Sequence, residues 1–103
     1  MALQIIDFFE SKFAVRSGGH SPNPGWSSVD STGILVDLQR LNSIQLSSDG
    51  SVASVGPGAR WGDVYATLDA HQAVVIGARI PEVGVGGSVL GGLLSPSEHY
   101  GCI

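Results

Sequence analysis

Phe13-Ala14-Val15-Arg16-Ser17-Gly18-Gly19-His20-Ser21 is the stretch on which the reading of this chain turns. Phe13 to Val15 is a short apolar run and predicts a strand that enters a tight glycine turn. Two adjacent glycines permit φ > 0 and let backbone N–H groups converge on an anion with no Cβ in the way. Ser17 and Ser21 add hydroxyl donors, and Arg16 adds a permanent positive charge suited to phosphate. His20, at the end of the loop, would stand beside whatever the loop holds. Ser-Gly-Gly-His equally fits an ordinary Gly-Gly turn with a solvated histidine, because short glycine motifs recur without function.

Length and composition set the frame. A chain of 103 residues is one domain at most, and a domain this small buries roughly 60–65% of its unfolded surface. With 43% hydrophobic and 14% charged residues, the chain favours buried structure over disorder. Its fifteen glycines fall in clusters without a fixed period, which suggests loops that must approach something closely rather than low complexity. The net charge is −4 and the five basic residues are scattered, so no nucleic-acid partner is expected. A single cysteine, Cys102, leaves no internal disulfide framework and no metal-ligand spacing. His20, His71 and His99 lie far apart, and no metal site is expected. No apolar run approaches the roughly 20 residues of a membrane span. The N-terminus carries no signal-peptide pattern.

Outward from the glycine loop, residues 2–12 predict an amphipathic helix with Leu3, Ile6 and Phe9 on one face. Pro22, Pro24 and Gly25 enforce an irregular connection after the loop. Trp26 within it could be a lid on the core or a ligand contact. Ile34 to Leu38 predicts a buried strand. Asn42 to Leu46 and Ser51 to Val55 predict a hairpin around the Asp49-Gly50 turn. After the turn Gly56-Pro57-Gly58-Ala59-Arg60, the residues Trp61, Val64, Tyr65 and Leu68 recur at helical spacing and predict a helix with a core-facing stripe. Ala73 to Ile76 predicts another short strand. The cluster around Gly84, Gly86 and Gly87 imitates part of a dinucleotide fingerprint. It does not open a helix after a first strand with an acidic residue about 20 positions on, as a Rossmann site requires. Its glycines instead suggest backbone that packs flat against a ligand or another strand.

Three stretches in this order carry a family resemblance. They are Phe13–Ser21, Val55-Gly56-Pro57-Gly58-Ala59-Arg60-Trp61-Gly62-Asp63-Val64-Tyr65, and Val83-Gly84-Val85-Gly86-Gly87-Ser88-Val89-Leu90-Gly91-Gly92. Together they resemble the flavin-binding half of the FAD-linked oxidoreductases of the berberine-bridge-enzyme-like group, of the vanillyl-alcohol-oxidase and p-cresol-methylhydroxylase type, and look most like fungal members. The resemblance implies an α+β fold: residues 1–103 as a partial FAD-binding domain with short strands, a hairpin and two or three helices. The family's first strands, its substrate domain and its C-terminal return to the flavin domain are expected to be absent.

Site roles follow from the resemblance residue by residue. Arg16, Ser17, Gly18, Gly19, His20 and Ser21 would hold the FAD pyrophosphate, with His20 the covalent attachment point of the flavin 8α-carbon. Gly84, Gly86, Gly87 and Ser88 would line the cofactor further along. Members with two covalent links carry a cysteine where this chain has Ile80, so a second link is not expected. Leu93 stands where the family usually has a third glycine. The implied activity is oxidation of a small-molecule alcohol, sugar or secondary metabolite, with hydride transfer to flavin and reoxidation by O2. Full-length relatives are often secreted. The chain offers no general base: Tyr65 lies on the packed helix face and Tyr100 at the chain end. The alternatives are a non-catalytic remnant, whose unpaired strand edges would promote self-association, and a generic nucleotide-binding module.

Overall fold

The apolar periodicities resolve into helices and short strands in a computed structural model that describes residues 1–92. Leu93, His99, Tyr100 and Cys102 lie outside the described residues. The first helix, α1, spans Ala2–Phe8. It ends four residues short of the expected 2–12. The Glu10 N–H turns back to the Asp7 carbonyl (3.1 Å) and the Ser11 N–H to the Ile6 carbonyl (3.1 Å). Glu10 takes φ 48°, which completes a Schellman closure without the usual glycine. Of the expected apolar stripe only Ile6 is buried.

Strand β1, Phe13–Arg16, pairs in parallel with β2, Ile34–Asp37, in the register Phe13↔Ile34 to Arg16↔Asp37. Parallel neighbours need a long connection. Here it is residues 17–33, which hold the glycine loop and both prolines. Trp26, in this connection, is 73% exposed and so does not pack on the core as a lid.

Strands β3, Ile44–Leu46, and β4, Ala53–Val55, form the expected hairpin, antiparallel with Ile44↔Val55 and Leu46↔Ala53. Gly50 takes φ 76° at the turn. The Asp49 carboxylate accepts the Ser47 hydroxyl (2.6 Å), the Ser51 N–H (3.0 Å) and the Ser51 hydroxyl (2.8 Å). These bonds favour its charged form and hold its pKa down to about 2.

Helix α2, Trp61–Asp69, buries its predicted stripe: Trp61, Val64 and Leu68 are each no more than 5% exposed. They form the core with Ala59, Ala78 and Val85, and the apolar residues of β3 and β4 pack against it. Tyr65 is half-buried. Its hydroxyl donates to the Ala78 carbonyl (2.6 Å), and burial raises its pKa.

One further expectation is corrected. Ala73 to Ile76 is not a strand: no strand among the described residues pairs with it, and Val74 is almost fully exposed. An apolar run without a ladder partner has no backbone bonds to fix it as β structure. The glycine cluster, conversely, enters a helix, α3, at Val85–Leu90, with Gly84 as its extended N-cap. Its packing against another strand-like segment is met at the bridge between Gly84 and Arg60.

Candidate functional site

Strand β1 delivers Arg16 to its carboxyl end, and the Ser17–Ser21 loop leaves from there. Among the described residues, the backbone N–H groups of Ser17, Gly18, Gly19, His20 and Ser21 have no hydrogen-bond partner. Gly19 takes φ 70°. The Ser17 hydroxyl donates to the Pro57 carbonyl (2.6 Å) and ties the loop to the turn before α2. Gly18 and Gly84 meet backbone to backbone: a Cβ on either would come within 2.8 Å of the other's Cα. The two glycine stretches separated in sequence are thus adjacent in space.

Between the loop and β2 lies a cleft of ≈ 380 Å³, lined by Arg16, Ser17, Gly18, Gly19, Ser27, Ser28, Asp37, Gln39 and Arg60. The positive charge that the sequence offered at Arg16 is matched here. Its Nε (3.2 Å) and Nη2 (2.6 Å) both donate to Asp37 Oδ2. The other Asp37 oxygen accepts the Gln39 N–H (3.0 Å). The Arg16 hydrogen bonds, then that of Gln39, hold the Asp37 carboxyl below the usual carboxylate range. Across the cleft, Arg60 Nη1 donates to the Glu82 carbonyl (2.6 Å).

The second glycine stretch divides. The Gly86 N–H donates to the Pro57 carbonyl (3.2 Å), and a Cβ on Gly87 would meet open space. The Ser88 hydroxyl accepts the Trp61 indole N–H (2.7 Å) and donates to the Gly84 carbonyl (2.8 Å), so it braces the core. His20 and Ser21 are exposed and stand outside the cleft lining. Ser27, Ser28, Asp37, Gln39 and Arg60 were not among the residues singled out from sequence. For Asp37 the signal was an acidic residue closing an apolar strand; for Arg60 it was the turn cluster before α2. A separate groove of ≈ 310 Å³ beside α2, lined by Tyr65, Leu68, Ala73 and Val75 among others, holds none of the expected site residues.

Unpaired amides in succession, with no Cβ at Gly18 or Gly19, suit oxyanions that need several donors at close range. Residues 2–103 match the FAD binding domain family. The chain belongs to that family. The FAD-dependent monooxygenase yanF of Aspergillus niger is 50% identical over 95 residues, which cover 92% of this chain and 16% of that protein. Glucooligosaccharide oxidase from Acremonium strictum, described with a 6-S-cysteinyl, 8α-N1-histidyl FAD, aligns with a TM-score of 0.75 at 30% identity, over 90% of this chain and 20% of its own. A berberine bridge enzyme variant in complex with (S)-reticuline aligns with a TM-score of 0.73 at 29% identity, over 88% of this chain and 19% of its own. The resemblance to the p-cresol-methylhydroxylase-type fold and to the berberine-bridge-enzyme-like group is therefore borne out. The chain spans about a sixth to a fifth of the length of the curated relatives it matches. FAD is the cofactor of this family of domains, and the diphosphate it carries is the kind of group that the unpaired amides of Ser17–Ser21 fit.

Proposed function

We propose that this FAD-binding domain serves an oxidoreductase acting on an alcohol, a sugar or a secondary metabolite. The observation that carries the reading is the run of five N–H groups from Ser17 to Ser21, unpaired among the described residues, at the edge of a polar cleft. Ser17, Gly18 and Gly19 would take the FAD pyrophosphate, with Gly84 and Gly86 close behind the loop. His20, exposed at the loop's far end, would attach the flavin at its 8α-carbon through a ring nitrogen. Ile80 offers no thiol for a second link. When bound, FAD would supply the hydride acceptor, with dioxygen as the final oxidant; the chain's own residues would bind and orient it. The test is the absorbance of the purified chain, incubated with FAD, before and after acid precipitation. Flavin bands in the pellet that vanish in His20→Ala are expected. Flavin that stays in the pellet after that substitution overturns the attachment site.

A second reading has its own support. Among the described residues each sheet has two strands, and Val15 and Leu35 are partly exposed in β1 and β2. Free strand edges beside apolar side chains pair with other chains. On this reading the chain acts only by association. A colourless protein that elutes as multimers would favour it.

A further inference from the structure

We infer that Arg60, rather than Arg16, is the cation that the cleft offers to a diphosphate, and that Asp37 sets this division by neutralising Arg16. The inference rests on the proposal that the cleft takes the FAD pyrophosphate. Three observations carry it. First, both Arg16 bonds fall on one carboxylate oxygen of Asp37, whose side chain is only 24% exposed, so the pair brings almost no net charge to the cleft. Second, Arg60 is exposed and lines the same cleft. Among the described residues its one hydrogen bond goes to a carbonyl, and no carboxylate there matches the guanidinium charge or takes the rest of its five donors. Among the described residues the only ion pair is that of Arg16 and Asp37. Third, the start of α2, which Arg60 caps, has no amides to spare for an anion. The Trp61 N–H goes to the Val83 carbonyl (3.0 Å) and the Gly62 N–H to the Pro81 carbonyl (2.9 Å). The Asp63 and Val64 N–H groups return to the Arg60 carbonyl. The charged donor left for phosphate oxygens is the Arg60 guanidinium, beside the neutral loop amides and the Ser27, Ser28 and Gln39 side chains of the cleft lining.

The charge balance makes the inference sharp. Arg60→Gln removes the unmatched charge. Asp37→Asn frees Arg16 and adds one. Arg16→Gln combined with Asp37→Asn removes a matched pair and leaves the net charge of the cleft as it was. Binding is read with ADP, which carries a diphosphate and has no flavin to attach, by calorimetric titration at low and high salt. A charge-assisted hydrogen bond of ordinary strength predicts about tenfold weaker ADP binding in Arg60→Gln, with most of the salt dependence gone. Arg60→Lys keeps the charge and should recover most of the loss, which separates charge from folding. Asp37→Asn should bind ADP more tightly, and adding Arg16→Gln to it should cancel that gain. Equal binding by Arg60→Gln and the parent overturns the assignment to Arg60. So does a double variant that loses as much as Arg60→Gln. A parent chain that binds no ADP or FAD overturns the cleft reading as a whole.

Discussion

Among the described residues, the chain covers its apolar residues around α2 with its own sequence, whereas along α1, β1 and β2 it leaves most of them open. Trp61, Val64 and Leu68 are 5%, 0% and 1% exposed; Phe8, Phe9 and Phe13 are 80%, 67% and 50% exposed. Both regions carry apolar residues at the spacing their secondary structure demands. The α2 stripe is buried because the hairpin supplies an opposing face. Phe8 and Phe9 meet edge to face at 5.1 Å, and both remain exposed among the described residues. Pattern marks the face to be covered, and topology decides whether a partner arrives. The cofactor loop grows out of the open layer yet is fastened to the covered one, through Ser17 on Pro57 and Gly18 on Gly84.

The comparison can be broken at its centre. Leu68→Ala empties a fully buried site and should cost about 2–5 kcal/mol, whereas Leu3→Ala, 64% exposed, should stay within about 0.5 kcal/mol. Urea unfolding of the two variants measures both; comparable losses would dissolve the distinction between the regions. The fastening comes next in size. Gly84→Ala forces a Cβ into the Gly18 backbone, and overpacking of this kind costs about 1–3 kcal/mol. The same denaturation curves report it, and an unchanged midpoint would mean that the two stretches are not in contact.

The smallest effect is a pH dependence in the hairpin turn. The folded pKa of Asp49, about 2, lies below its ordinary value of 3.8. Its contribution to stability is therefore complete above about pH 4 and drains away as the pH falls towards 2. The carboxylate is solvent-exposed, so the slope is shallow. Thermal midpoints followed from pH 5 to pH 2 should fall less steeply in Asp49→Asn than in the parent chain. Identical slopes would show that the Ser47 and Ser51 hydrogen bonds do not hold the charge. Asp37 titrates in the same direction, so the flattening should be partial.

Local signals were legible and long-range ones were not. The Asp49-Gly50 turn, the α2 stripe and the strand running into the glycine loop could each be read from neighbouring residues, and each formed. The close of α1 escaped because a glutamate, not a glycine, takes the left-handed position. Ala73 to Ile76 misled because an apolar run predicts a strand only where a partner strand exists. At the site, the glycines of both stretches were visible, but the fate of the Arg16 charge was not. It depends on a parallel register that sets Arg16 beside Asp37, 21 positions away. The Trp61 indole on the Ser88 hydroxyl, a bond across 27 positions, has no signal in the sequence.

The meeting of Gly18 and Gly84 also has a mechanical meaning. Packed side chains yield to a push by changing rotamer. Two main chains in contact have no χ angle through which to give way. A displacement of the Ser17–Ser21 loop, such as a bulky anion would impose, bears directly on Gly84, the residue that caps α3. From there it travels along the backbone to Val85, a member of the central core. The loop and the packed half of the molecule are thus joined by a hard stop rather than a cushion.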